Sequence, residues 1–164
     1  MNKKILILIM LSAIIIMGCA SENYEPSDYI ASETENFSFL LTAGEYTHVI
    51  YMSDLITIGA VSLSSSPRGV LREFTGVPLV NIFRHLELDY SGASTVSFSS
   101  QDGFMSAVSI DEALDAANSF IVFEESGEAL GTMEDGGRGP FMIVIALDPF
   151  PNRWARYLTE VIVR

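Results

Sequence analysis

The sequence predicts an α+β domain, and three observations carry the prediction. Apolar residues fall into many short runs separated by Gly, Pro, Asn and Asp clusters, the pattern of strands and turns. Two segments open with helix-start chemistry, at Thr75-Gly76-Val77-Pro78 and at Ser109-Ile110-Asp111-Glu112. The stretch 37–164 is 128 residues of mixed apolar and polar sequence without an internal repeat, the size of one domain.

The elements follow in order. Residues 37–42 (FSFLLT) and 46–51 (YTHVIY) read as strands joined across Ala43-Gly44-Glu45, a short glycine-containing loop suited to a hairpin. Ser53 is expected to cap one helical turn, and 56–63 (ITIGAVSL) to form a third strand before the loop 64–69 (SSSPRG). Thr75 or Gly76 fits a helix N-cap with Pro78 in the first turn, where its missing N–H costs nothing. Leu79, Ile82, Phe83 and Leu86 then recur at helical spacing as a buried face. Residues 95–99 and 104–108 predict two strands around a Gln101-Asp102-Gly103 turn. Ser109 and Glu112 have the spacing of a capping box, opening a helix to about Ala117. A strand is expected over 120–124. After a loop rich in glycine and acid, 140–147 (PFMIVIAL) is a nearly continuous apolar run, which places it centrally. The prolines of 148–153 predict a tight loop, and 154–163 closes the chain as the last strand.

Lys3 and Lys4 precede an apolar run, 5–17, broken only by Ser12, and Gly18 then leads to Cys19. This is the layout of a secretory signal peptide, and the run is shorter than the roughly 18 residues of a spanning helix. The ending Ile16-Met17-Gly18-Cys19 resembles the bacterial lipobox, whose cysteine is acylated and becomes the mature N-terminus. That resemblance implies a lipoprotein signal peptide at 1–18 and export to the bacterial cell envelope. It also implies a lipid anchor to a membrane through Cys19. Residues 20–36 are acidic and poor in aliphatic side chains, so 19–36 is expected to act as a flexible tether for the domain at 37–164. Cys19 is the only cysteine. Once acylated, it leaves no thiol for a disulfide, a redox couple or a metal.

All 21 acidic residues follow Cys19, against seven basic residues, all arginine, so the chain from 19 onward carries a charge of −14. Nucleic-acid binding rests on neutralising phosphates with Lys and Arg, and this balance argues against it. It also disfavours contact with anionic lipid other than through the anchor. His48 and His85 are far apart in sequence and have no cysteine or carboxylate at ligand spacing, so no metal site is expected. The sequence contains no G-x-S-x-G, phosphate-binding P-loop or H-E-x-x-H motif, and no catalytic residue is assigned.

Three stretches from Thr75 onward carry a family resemblance. They are Phe74-Thr75-Gly76-Val77-Pro78-Leu79, Gln101-Asp102-Gly103-Phe104, and Gly136-Gly137-Arg138-Gly139-Pro140-Phe141-Met142-Ile143-Val144 with the downstream 148–154 (DPFPNRW) and 160–163 (EVIV). Their order over about 90 residues resembles the oxidoreductase molybdopterin-binding domain, the sulfite oxidase fold. The resemblance implies a mixed, layered β structure with flanking helices, and molybdopterin as a possible cofactor. In catalytic members a cysteine thiolate upstream of the helix start that Thr75-Gly76-Val77-Pro78-Leu79 resembles ligates molybdenum. The corresponding region here, 59–69 (GAVSLSSSPRG), has no cysteine, and serine hydroxyls are poor substitutes for a soft thiolate. The sequence therefore points to a non-catalytic relative that binds a small anionic ligand or an envelope protein. The other reading is a molybdenum-cofactor oxidoreductase, or a subunit of one, without the cysteine ligand.

The candidate ligand-binding residues are Gly137, Arg138, Gly139, Arg153 and Arg156. Glycine-loop N–H groups are suited to pointing at an anion, and arginine supplies a charged fork for phosphate or carboxylate. In the family, basic residues of this stretch approach the cofactor phosphate. The competing expectation is that these arginines pair with carboxylates such as Glu134, Asp135, Asp148 and Glu160.

Overall fold

A computed structural model of the chain describes residues 37–164; the expectations for 1–18, for Cys19 and for 19–36 lie outside the described residues. The α+β expectation holds. A mixed sheet and an antiparallel sheet, with short helices, enclose one core.

The first sheet contains β1 (Ser38–Ala43), β2 (Tyr46–Tyr51), β5 (Thr95–Ser100), β6 (Met105–Ser109) and β10 (Leu158–Val163), in the order β2-β1-β10-β5-β6. Its neighbours are antiparallel except β1 and β10, which run parallel with Leu41 opposite Val161. Burial alternates along β5, with Val96, Phe98 and Ser100 inward, as a sheet covered on one face requires. The second sheet runs β3 (Val61–Ser65), β4 (Arg72–Pro78), β7 (Ser119–Glu125), β8 (Glu128–Ala129), and β9 (Met142–Ile145) also pairs with β7. β9 is buried throughout and β7 from Ser119 to Glu124, the signature of strands covered on both faces. The apolar run at 140–147 is thus central, as expected, but its paired part is only Met142–Ile145.

The second sheet curls until its two ends meet. Ser65 Oγ on β3 donates to the Ala146 carbonyl just past β9 at 2.8 Å, and Arg68 N–H donates to the Pro149 carbonyl at 2.9 Å. Trp154 fills the inside of this curl: its indole N–H donates to the Ile145 carbonyl and its ring meets Phe74 edge-on at 5.5 Å. Phe39 and Phe141 make a similar edge contact at 5.2 Å and join the core faces of the two sheets.

The helices lie at the periphery: α1 (Met52–Ile58), α2 (Leu79–His85) and α3 (Ile110–Leu114). The sequence places a strand over 56–63, yet Ile56 and Ile58 belong to α1. They complete a helical face begun by buried Met52 and Leu55, and the strand starts only at Val61. The start of α1 is held by the Asp54 carboxylate, which accepts the Tyr51 N–H at 2.8 Å, not by Ser53 as expected. The second helix also begins later than predicted. Residues from Arg72 to Pro78 form β4, paired with β7 through Val77 opposite Ile121, and Pro78 itself stands at the N-cap of α2. Gly76 explains the local choice: an added Cβ would lie 2.4 Å from the Ile121 carbonyl, so glycine permits close strand contact where a helix cap was expected. The Ser109–Glu112 capping box forms as predicted, although α3 stops at Leu114 rather than near Ala117. At the C-terminal end, Pro151–Arg153 is a short 3-10 turn, and the last strand begins at Leu158 rather than at Trp154.

Candidate anion-binding site

The five residues predicted to form one ligand site divide into three structural settings. Gly137 and Gly139 lie in a loop whose amides are already used. Gly137 N–H donates to the Thr132 carbonyl at 2.7 Å, Arg138 N–H to Leu130 at 2.8 Å and Gly139 N–H to Gly131 at 2.7 Å. The expectation that these N–H groups point at an anion is not met, because the loop is zipped onto 130–132. The glycines serve packing instead. A Cβ on Gly137 would sit 2.3 Å from the Leu130 carbonyl oxygen, and one on Gly139 would sit 2.6 Å from the Leu130 Cβ. Tyr157 fastens the same loop from the other side: its hydroxyl donates to the Gly137 carbonyl at 2.7 Å and its N–H donates to the Arg138 carbonyl at 3.1 Å.

Arg153 belongs to a separate group. Its guanidinium donates to both oxygens of Asp148 at 2.5 and 2.8 Å, and to Glu112 at 2.8 Å. The ion pair with Arg153, followed by the hydrogen bond from the Ser109 N–H, pushes the Glu112 carboxyl down to about 2. The same carboxylates, Asp148 first, hold Arg153 above the usual guanidinium range. One cation between two anions forms a clamp. It ties the capping box of α3 to the loop that follows β9, and Ser106 Oγ adds a 2.8 Å hydrogen bond to the Arg153 carbonyl from β6. Asp148 was among the expected carboxylate partners; Glu112 was not.

Arg138 stands within electrostatic reach of Arg156 and shares a carboxylate with a third arginine, Arg72, that the sequence did not single out. Arg72, the first residue of β4, pairs with Glu125 at 2.8 Å, and Arg138 pairs with the other oxygen of the same carboxylate. Burial, then the charges of Arg72 and Arg156, push Arg138 below the usual guanidinium range, and Tyr157 opposes that shift. The guanidinium remains charged at any physiological pH. The Arg72 guanidinium carbon also stands 5.9 Å from the Trp154 ring and 6.0 Å from Phe74, so the aromatic lining of the curl supports its position. The result is two arginines on one carboxylate, with the charge of a third, Arg156, acting on Arg138, in a chain dominated by acid. Glu125 is only 13% exposed at the side chain, while Arg72 and Arg138 keep 28% and 29% and so remain open to solvent. Arg72 was legible only as an arginine at the head of an apolar run; nothing in the local sequence links it to a residue 66 positions away.

A cleft beside this loop, about 360 Å³, is lined by Gln101, Thr132, Glu134, Pro140 and Tyr157 among others, and by no arginine. Its one charged residue is acidic, so it is the less suitable place for an anion.

The residues at the metal-ligating stretch of the family resemblance do not fit molybdenum. Ser65 is buried and its hydroxyl is committed to the Ala146 carbonyl; Ser62, Ser64 and Ser66 are exposed hydroxyls that stay protonated near neutrality. Among the described residues no group of three or more His, Cys, Asp or Glu side chains is arranged to hold a metal ion.

No protein-family model matches the chain. No curated protein matches it either. Among solved structures, the chain is similar to the sulfane dehydrogenase SoxCD from Paracoccus pantotrophus, with a TM-score of 0.62 and 14% sequence identity, over 79% of this chain and 38% of that chain. The chain therefore spans well under half the length of that protein. At this identity the likeness concerns the fold.

Proposed function

We propose that this chain is a lipid-anchored envelope protein whose domain binds a small anionic ligand through Arg72, Arg138 and Arg156 and does not itself catalyse a redox reaction. The carrying observation is that Arg72 and Arg138 share the carboxylate of Glu125, with the charge of Arg156 also acting on Arg138. A place where guanidiniums outnumber the carboxylate they pair with is where a chain of this acidity would attract an anion. Arginine forks suit phosphate or carboxylate oxygens, and the loop that carries Arg138 is fixed by Tyr157 and by the amide ladder to 130–132, so little order is lost on binding. Anchoring through Cys19 is supported by the sequence pattern alone.

Isothermal titration of inorganic phosphate and of a pterin phosphate into the protein tests the ligand reading. Binding that Arg138→Ala weakens supports it; absence of binding to either, or indifference to Arg138→Ala, refutes it. Lipid labelling that disappears in Cys19→Ala supports the anchor, and unchanged labelling removes it.

A second reading, a molybdenum-cofactor oxidoreductase or a subunit of one, is favoured by the fold likeness to sulfane dehydrogenase SoxCD. The committed hydroxyl of Ser65 and the lack of a cysteine in 59–69 weigh against it. Stoichiometric molybdenum in natively expressed protein would establish that reading in place of the first.

A further inference from the structure

We infer that the paired loop tips at 68–71 and 147–150 form a contact surface for an anionic lipid bilayer. The Arg68 N–H to Pro149 carbonyl hydrogen bond, 2.9 Å, sets the two loops side by side. Within three residues of it lie four large apolar side chains turned to solvent: Val70 at 62% exposure, Leu71 at 64%, Leu147 at 68% and Phe150 at 53%. A buried role cannot explain them, and isolated exposed apolar residues are common where such a grouping is not.

The charge around the patch selects the occupant. Arg68 is exposed and forms no side-chain ion pair among the described residues. The acid within the second loop, Asp148, is neutralised by Arg153. A cation beside protruding aliphatic and aromatic side chains matches the headgroup–acyl boundary of an anionic membrane. The exposed carboxylate of Glu73, two residues past Leu71, opposes the pull of Arg68, so the apolar side chains carry most of the contact, while more distant acid is screened beyond about 8 Å at physiological ionic strength. The geometry of anchoring permits this contact. The 17 residues between Cys19 and Phe37 reach at most about 60 Å, and a domain of this size has a radius of gyration near ~14 Å, so any face can meet the bilayer. The inference rests on the proposed lipid anchor only for bringing the loops near the membrane.

The test uses the full chain reconstituted in vesicles with brominated acyl chains, and reads quenching of an indole introduced by Phe150→Trp. The buried Trp154 is the internal control. In vesicles of phosphatidylglycerol and phosphatidylcholine the new indole is quenched, and adding Arg68→Glu or Leu71→Ser reduces that quenching, by on the order of tenfold for the pair. Leu147→Trp serves as a second reporter if Phe150→Trp does not fold. An unquenched indole on a chain that remains vesicle-bound overturns the inference while leaving the anchor intact; loss of the chain from vesicles indicts the anchor instead. Equal quenching in pure phosphatidylcholine, insensitive to Arg68→Glu, overturns the anionic selectivity. Self-association abolished by Leu71→Ser without any quenching assigns the patch to a second copy and also overturns it.

Discussion

The two arginine groups of this domain look alike in sequence and differ in what surrounds them. Arg153 is held by two carboxylates, Asp148 and Glu112, and its charge is more than cancelled. Arg72 and Arg138 share one, Glu125, and outnumber it, with the charge of Arg156 also acting on Arg138. The first arrangement fastens one element to another; the second leaves donors for something that the chain does not supply. An arginine count along the chain cannot separate these cases, because the deciding quantity is the local ratio of carboxylates to guanidiniums.

The comparison breaks most severely where the loop carrying Arg138 is disturbed. Gly137→Ala drives a Cβ into backbone atoms of 130–131, with no flexible side chain to yield, and is expected to cost about 3 kcal/mol or more in a denaturant titration. If the stability of Gly137→Ala matched that of the parent protein, the packing account of this loop would fail. Next in size are the effects that set the two groups apart. Arg138→Ala is expected to lower phosphate affinity about tenfold or more, since charge-assisted hydrogen bonds are lost from a site open to solvent. Arg153→Ala should leave affinity unchanged and instead cost about 1 kcal/mol or less of stability, its clamp being roughly one-third exposed. Glu125→Gln sharpens the contrast in the opposite direction. Removing the internal anion frees Arg72 and Arg138, and affinity for phosphate is expected to rise by about threefold to tenfold, seen by titration calorimetry. No change there would mean that Glu125 and the ligand do not compete.

The smallest effect is in the acid stability of the clamp. Glu112 titrates at about 2 in the folded chain against an ordinary 4.5, so its contribution to stability is fully present above about pH 4.5 and is lost as pH falls through about 2. Solvent exposure keeps that contribution small. The carboxyl resonance of Glu112, followed by NMR titration, should move toward the ordinary glutamate range in Arg153→Ala. A resonance that stays near 2 would show that the Ser109 N–H, not Arg153, sets the shift.

Much of the fold was readable from residues with local causes. The β1–β2 hairpin, the β5–β6 hairpin around Asp102-Gly103, the capping box at Ser109–Glu112 and the central apolar run around Met142–Ile145 follow from turn chemistry, capping and hydrophobic pattern. The misplaced boundaries share another cause. Residues 56–58 read equally as strand or helix from apolarity alone, and α1 won because Met52 and Leu55 supply the rest of its buried face. At 72–78, pairing with β7 overrode a plausible cap at Thr75 or Gly76, and only the partner strand reveals why Gly76 must be glycine. The site follows the same rule. Arg138 and Arg156 were candidates because both flank the glycine loop and the last strands. Arg72, Glu125 and the zipped amides of 137–139 were not legible, because tertiary pairing alone brings them together.

The most direct test of the central claim is phosphate titration by calorimetry on three proteins in parallel: the parent chain, Arg138→Ala and Arg153→Ala. The account predicts saturable binding to the parent chain and to Arg153→Ala, and a loss of about tenfold or more in Arg138→Ala. Binding that survives Arg138→Ala but disappears in Arg153→Ala would contradict it, because the ligand would then belong to the clamp.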